Sequence, residues 1–319
     1  MTVREALTRG ASVLSGTGSE TPRLDASLLL ARAAGCGRAA LLARLSDPLL
    51  PDAETAYSSF LSRRAEGESV AYILGEKEFY GRRFRVDPRV LVPRPDTETL
   101  VEAALAAARG VPAGRPAGSG IPTLGAGAPG SGARRSGPGT GLRIHDAFTG
   151  SGCVGITLAA ELPYAEVSLS DLSPGARDLA ARNAREILGR DLPVLESDVL
   201  AGVSGPFDVI TANPPYVSSA ETDRLLGRPG PGHLGPPGAD GIRCEPREAL
   251  DGGSDGLRFY RVLVPEAEKA LAPGGCLAVE IGEEQGAAVG GMFRERGFRN
   301  VETLRDLGGR DRVVRGIRA

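Results

Sequence analysis

Cysteine and histidine are scarce in this chain, and each shortage excludes a kind of chemistry. The four cysteines, Cys36, Cys153, Cys244 and Cys276, are scattered through 319 residues. They form no C-x-x-C pair, so neither a zinc site nor a disulfide framework is expected. The two histidines, His145 and His233, lie in a strand-like run and in a Gly/Pro loop, with no visible partner for acid–base or metal work. Net charge is small as well: 38 Lys and Arg against 40 Asp and Glu leave −2. A broad nucleic-acid or anionic-membrane surface is therefore excluded. Arginine is dense only locally, as in Arg82-Arg83-Phe84-Arg85, which reads as a solvated face or a partner contact. No apolar run reaches membrane length, and Met1-Thr2-Val3-Arg4-Glu5 has no apolar h-region. The expectation is a soluble, cytoplasmic, monomeric protein.

The length allows two domains and a substantial core. Residues 1–75 show helical periodicity over Val3–Leu14, Arg23–Ala34 and Ala53–Arg64, with no strand signal. They are expected to form a small helical domain. Residues 76–98 suggest a hairpin connector, and residues 99–319 a second, larger domain that opens with a helix at Thr99–Arg109. Residues 110–141 are mostly Gly, Ala, Pro and Ser without periodicity, so a disordered insert is expected there. It would enter the first strand from the edge opposite a cofactor. A second Gly/Pro stretch, 227–241, lies on the other side and would border a substrate groove.

Residues 213–216, Asn213-Pro214-Pro215-Tyr216, carry the sharpest signal. They follow Phe207-Asp208-Val209-Ile210-Thr211-Ala212, an apolar run with the length of a buried strand. Two prolines cannot continue a central strand, and proline pushes the residue before it into an extended conformation. A stiff turn at a strand end follows. It displays an amide side chain, carbonyls with few competing N–H groups, and an aromatic ring, which suits gripping a planar amino group beside a reactive cofactor.

Upstream, Leu142–Phe148 reads as a strand, Thr149-Gly150-Ser151-Gly152 as a turn, and the apolar run through Ala160 as a helix. Free N–H groups at a helix start can meet a ligand in such a unit. Gly150, Gly152 and Gly155 satisfy G-x-G-x-x-G, a weak dinucleotide signal by itself. Val167–Asp171 is a strand ending in an acid about 20 residues past the glycines, where a carboxylate can hold ribose hydroxyls. Pro193–Asp198 also ends in Asp, and a turn or cap would explain that residue equally well. Leu277-Ala278-Val279-Glu280-Ile281 follows a Pro273-Gly274-Gly275 turn as another strand, and Phe298–Leu304 with Arg312–Ile317 closes the chain as a strand pair.

Asp146, the Thr149–Cys153 loop, Asp171, Asp198 and Asn213–Tyr216 resemble the ordered motifs of class I S-adenosylmethionine-dependent methyltransferases. Phe79-Tyr80-Gly81, Leu91–Glu98 and Glu245–Gly253 with Asp255-Gly256-Leu257 and Tyr260 narrow the resemblance to protein-(glutamine-N5) methyltransferases of the peptide chain release factor type (PrmC/HemK). The resemblance covers most of the chain outside the two Gly/Pro-rich stretches. It implies an α/β fold, a Rossmann-like seven-stranded mixed sheet with a small N-terminal helical domain. It implies S-adenosyl-L-methionine as cofactor, held by Phe148, Thr149, Gly150, Ser151 and Gly152 along the methionine portion. Asp171 would hold the ribose, Asp198 and the Val199 backbone the adenine edge, and Asn213 would border both ligands. Asn213, Pro214, Pro215 and Tyr216 would bind the substrate amide, with Asn213, Pro214 and Tyr216 catalytic. The implied substrate is the glutamine of the Gly-Gly-Gln motif of class I release factors, with the N-terminal helices setting specificity. The family usually carries glycine where this chain has Phe148, and a ring there is expected to crowd the methionine tail or tilt the loop.

Other readings keep part of this pattern. Glutamine of a large-subunit ribosomal protein, or adenine N6 in DNA, would use the same turn; the near-zero charge weighs against DNA. A nicotinamide-dependent dehydrogenase would leave Asn213–Tyr216 unused. A non-catalytic binding module draws support only from Phe148.

Overall fold

The computed structural model describes residues 1–17, 19–110, 141–227 and 242–319. Residues 111–140 and 228–241 lie outside it, and with them the body of both Gly/Pro-rich stretches and His233. The chain divides into two compact units. The first comprises Met1–Lys77, Val86–Val92 and Ala220–Arg247; the second comprises Glu78–Arg85, Pro93–Ser219 and Glu248–Ala319.

The first unit is helical: α1 (Val3–Ser15), α2 (Pro22–Ala33), α3 (Arg38–Leu42), α4 (Pro51–Ala65) and α5 (Val70–Leu74). Local chemistry sets its boundaries. Thr2 and Glu5 cap α1 reciprocally, and Pro22 and Pro51 open α2 and α4, where a missing N–H costs nothing. Leu14, Leu29, Leu30, Leu41 and Leu61 share one apolar cluster. Within it the buried Arg64 pairs with Asp25 at 2.9 Å, joining α4 to α2. Most of α9 (Ser219–Leu225) also belongs to this unit, far along the chain from the other helices.

A hairpin, β1 (Glu76–Phe79) and β2 (Arg82–Arg85), turns on Tyr80 and Gly81, both with positive φ, the signature of a tight primed turn. The second unit then runs α6 (Glu98–Arg109), β3 (Arg143–Ala147), α7 (Cys153–Glu161), β4 (Glu166–Asp171), α8 (Pro174–Leu188), β5 (Val194–Glu196) and β6 (Phe207–Ala212). It continues with α10 (Arg258–Ala270), β7 (Leu271–Glu280), α11 (Gly286–Glu295), β8 (Arg299–Arg305) and β9 (Asp311–Ile317). The seven strands of its sheet lie in the order β5-β4-β3-β6-β7-β9-β8. β3 to β7 are parallel, and β9 is antiparallel to both neighbours. This is the seven-stranded mixed sheet expected from the sequence.

Successive strand residues enter different apolar clusters. Ile144, Val209, Ala278 and Val313 pack with α6, α7 and α8, whereas Ile210, Leu277, Val279 and Val314 pack with α10 and α11. Alternation along a strand places those clusters on opposite faces. β6 is buried at all six positions, as a central strand covered on both faces must be.

One strand begins earlier than expected. β7 starts at Leu271 and carries Pro273-Gly274-Gly275 as a bulge, because the register jumps from Phe207–Leu271 to Val209–Cys276. Arg318 pays back the interrupted ladder: its carbonyl accepts from Gly274 N–H at 3.0 Å, and its N–H donates to Gly275 at 2.8 Å. Three helices of this unit, α8, α10 and α11, were not anticipated as such. Pro265 lies inside α10, and α11 contains Gly286, Gly290 and Gly291, so local propensity is poor in both.

Candidate active site

The chain leaves β3 for β4 and β5 on one side, then returns to β6 on the other. Ligands bind at such a reversal, beyond the C-terminal ends of the strands. The segments singled out in the sequence all leave the sheet at that edge: the glycine loop after β3, Asp171 at the end of β4, Asp198 after β5, and Asn213 after β6.

Asp146, on β3, organises the loop. It is buried, and its Oδ2 accepts from the Thr149 hydroxyl at 2.6 Å and from Gly155 N–H at 3.1 Å. Its Oδ1 accepts from the Thr211 hydroxyl of β6 at 2.7 Å. One carboxylate therefore ties together β3, the loop, the start of α7 and β6. Burial raises its pKa to about 6 against the pull of these donors. Asn183 of α8 braces the loop from outside, donating to the Ser151 carbonyl at 2.7 Å and bonding both backbone groups of Arg85.

Gly150 and Gly152 have φ of +55 and +83, and Gly152 caps α7 with no side-chain cap on the helix's first turn. Nothing stands within 4 Å of where a Cβ on Gly150 would be, so the loop borders open space there. Asp171 faces this loop. Its Oδ2 accepts from Gly150 N–H and its Oδ1 from Ser173 N–H, both at 2.9 Å. Each oxygen keeps a second lone pair for a ligand hydroxyl. Burial pushes its pKa up, opposed by those two N–H donors.

A cavity of about 420 Å³ lies against these groups, lined by Phe148, Asp171, Asp198, Val199, Pro215 and Phe259 among others. That volume is in the range of small-molecule and cofactor sites, ~300–1,000 Å³. Asp198 is exposed and Val199 buried, with φ +59. A β-branched residue in the left-handed region is strained, and such strain persists where the surrounding structure demands one backbone orientation. Here it turns the Val199 main chain at the cavity wall. Phe148 also has positive φ, +54, so the backbone adopts the conformation glycine would supply. Its ring packs edge-on against Phe259 at 5.3 Å between centroids. Phe148 and Phe259 together line the cavity as an aromatic wall.

Phe148→Gly removes one ring of this pair and the strain of the left-handed backbone together. Both rings line the cavity, so losing one removes apolar contact with the ligand worth roughly 1 kcal/mol, and the dissociation constant for S-adenosylmethionine is expected to rise roughly three- to tenfold. Calorimetric titration measures it; tighter binding would show that the ring obstructs the cofactor.

Asn213 is half-buried, Pro214 and Pro215 buried, and Tyr216 half-buried in the turn after β6. The segment after α9 holds that turn. Val217 N–H donates to the Leu250 carbonyl at 3.0 Å, Gly252 N–H returns to the Val217 carbonyl at 2.7 Å, and Ser219 N–H meets Gly253 at 2.8 Å. Asp251 accepts from the Ser219 hydroxyl. This explains the stretch ending in Asp251-Gly252-Gly253: it is the outer wall of the Asn-Pro-Pro-Tyr turn. The sequence reading passed over Glu280, Gln285 and Phe259. Glu280 carried a readable signal, an acid inside an otherwise apolar strand. Gln285 and Phe259 carried none, because their neighbours are distant in sequence. Among the described residues no group of three or more His, Cys, Asp or Glu could hold a metal ion, and no helix is long and apolar enough to cross a membrane.

The fold, the glycine loop and the acids at successive strand ends define a class I methyltransferase, whose cofactor is S-adenosylmethionine. The PrmC N-terminal domain model matches residues 5–75, and the methyltransferase small domain model matches residues 138–228. The release factor glutamine methyltransferase of Moorella thermoacetica is 40% identical over 321 residues, covering 100% of this chain and 99% of that protein. That of Geobacter sulfurreducens is 38% identical over 316 residues, covering 99% and 96%. The solved hMettl16 catalytic domain, in complex with MAT2A 3'UTR hairpin 1, shares the fold alone, at 14% identity and TM-score 0.50 over 83% of this chain and 80% of that one. The chain belongs to the release factor glutamine methyltransferase family.

Proposed function

We propose that this chain methylates the side-chain amide nitrogen of the glutamine in the Gly-Gly-Gln motif of class I release factors. The observation that carries the reading is the joining of two features. Pro215 of the Asn-Pro-Pro-Tyr turn lines the same cavity as Asp171, Asp198 and Val199. Bound there, S-adenosylmethionine supplies an electrophilic methyl group on a sulfonium. The Thr149–Gly152 loop and Phe148 would hold its methionine portion, Asp171 would accept from ribose hydroxyls, and Asp198 with the Val199 backbone would meet the adenine edge.

A carboxamide nitrogen is a poor nucleophile because its lone pair is delocalised into the carbonyl. The Asn213 side-chain oxygen and the Pro214 carbonyl each accept one amide hydrogen. They would aim the nitrogen at the methyl group and favour the positive charge that develops as the N–C bond forms and the S–C bond breaks; the sulfur leaves as a neutral thioether, and one N–H proton then passes to solvent. The Tyr216 ring packs against the flat amide, and Asn213 borders cofactor and substrate alike. The helices of the first unit, matched over residues 5–75 by a domain model of this family, provide a recognition surface for the release factor. A substrate that works at the ribosome places the reaction in the cytoplasm.

The test is incubation with methyl-labelled S-adenosylmethionine and purified class I release factors, followed by mass-spectrometric mapping. Label on the glutamine of Gly-Gly-Gln is the expected result. Label only on a ribosomal-protein glutamine or on DNA adenine, offered in parallel, would overturn the substrate assignment.

A further inference from the structure

Glu280, the last residue of β7, is a buried acid with an incomplete set of partners. It is 1% exposed; the Thr97 and Tyr216 side chains hydrogen-bond its carboxyl, but its Oε2 has no partner at ordinary hydrogen-bond geometry. A buried, half-satisfied carboxylate is costly to the fold. Folding raises its pKa from 4.5 to about 7, chiefly through burial. Its contribution to stability is therefore full below about pH 4.5 and is lost as the pH rises through 7. The ionised form opposes folding, so its presence calls for another use.

Its surroundings indicate that use. Glu280 Oε1 accepts from the Tyr216 hydroxyl at 3.4 Å. At the other end of the same residue, Gln285 Nε2 donates to the Tyr216 carbonyl at 3.0 Å, and to the Gly256 carbonyl at 3.3 Å. The Gln285 amide is itself held, because its Oε1 accepts from Gly282 N–H at 3.0 Å. Tyr216 is thus gripped at ring tip and main chain by two residues of one short segment, 280–285. That segment continues β7, whose register pairs Val279 with Ala212, the last residue of β6, so Glu280 and Asn213 each follow one member of the final pair.

We propose that Glu280 is a positioning residue for methyl transfer: through the Tyr216 hydroxyl it sets the ring that packs on the substrate amide, while Gln285 fixes the same residue's backbone. The inference rests on the reading of Tyr216 as a wall of the amide site. The groups facing Glu280 come from several elements. They are Tyr216 after β6, Tyr260 of α10, Arg312 of β9, Asp96 and Thr97 before α6, and Cys153 of α7. Tyr260 donates its hydroxyl to the Glu280 backbone carbonyl at 2.7 Å, not to the carboxylate. Arg312 is committed to Asp306 at 3.2 Å. Burial keeps both tyrosine hydroxyls protonated well past neutrality, which leaves Glu280 as the group of this set that titrates near pH 7.

The experiment is a double-mutant cycle of Glu280→Gln and Tyr216→Phe in the full chain, read as kcat and KM for the release factor, as kcat against pH, and as S-adenosylmethionine affinity. Each single variant is expected to lose about tenfold in kcat, with cofactor affinity within about twofold of wild type. The double variant should be no worse than Tyr216→Phe alone, since both changes delete one contact. Wild-type kcat should fall as the pH drops through 7, where the carboxylate protonates, and both single variants should lack that limb. Losses that multiply in the double variant, or a Glu280→Gln enzyme with wild-type kcat, would overturn the proposal. Should Glu280→Gln fail to fold, Tyr216→Phe decides alone: a limb with its midpoint near pH 7 kept in that variant, above the one Asp146 gives near pH 6, refutes the role. A wild-type enzyme inactive on release factors would overturn the substrate reading instead, and the cycle is then run on the substrate it does methylate.

Discussion

Asn213→Ala is expected to lower kcat about 10²–10³-fold, a loss of roughly 2–4 kcal/mol of barrier lowering. The affinity for S-adenosylmethionine should change by less than about threefold, because in the proposed mechanism the amide side chain, though it borders both ligands, accepts from the reacting nitrogen. The effect is clean for a structural reason. Ala212, the residue before, is buried and paired on both sides, to Ala147 of β3 and Val279 of β7. Pro214 and Pro215 follow and restrict the backbone. The turn therefore survives truncation of a half-buried side chain. Initial-rate kinetics with a release factor, together with calorimetric titration of the cofactor, separate the two effects. Normal turnover in the variant would remove Asn213 from the mechanism. A large loss of cofactor affinity with unchanged kcat would move it to the cofactor site.

Gly256→Ala should damage the site from behind, at a residue that touches no ligand in the proposed mechanism. Gly256 has φ +72, and a Cβ added there would stand 2.2 Å from the Tyr216 carbonyl oxygen and 2.7 Å from Gln285 Nε2. Neither neighbour can move freely, since Gln285 holds that carbonyl. The substitution must displace the tyrosine or the loop. Its expected cost is about 1–3 kcal/mol of stability and at least about tenfold in kcat. Gly189 provides the control. It also has positive φ, +65, at the end of α8, but nothing lies within 4 Å of its missing Cβ. Gly189→Ala should therefore cost only the left-handed strain, about 1 kcal/mol, and leave kcat unchanged. Thermal melts and steady-state kinetics on the pair test this. Equal kinetic losses in both would show that general destabilisation, rather than the push on Tyr216, is responsible.

Much of the site was legible because its motifs are local. A strand, a glycine turn and a helix in direct succession carry their own geometry, and an acid at a strand end is placed by the strand. Asn-Pro-Pro-Tyr could be read as a strand stop for the same reason: proline acts on its immediate neighbours. The closing strand pair was legible as Phe298–Leu304 and Arg312–Ile317. The helices at 258–270 and 286–295 were harder. A proline and several glycines argue against helix locally, whereas the apolar side chains of Tyr260, Leu263, Val264, Val289 and Phe293 pack on the sheet and override propensity.

From the sequence alone came the strands around the glycine loop and the residues that leave their C-terminal ends, because each rests on the chemistry of a few consecutive residues; the mixed sheet followed from the family resemblance. Tertiary structure decided how those residues are held. It placed one Asp146 carboxylate on three segments at once, turned Phe148 and Phe259 into a shared wall, and laid Leu250–Gly253 against the turn at Asn213. It also set an unsatisfied Glu280 beside Tyr216. Most of these pairings join positions tens of residues apart, and only the packing of one sheet between two layers of helices brings such positions within reach of one another.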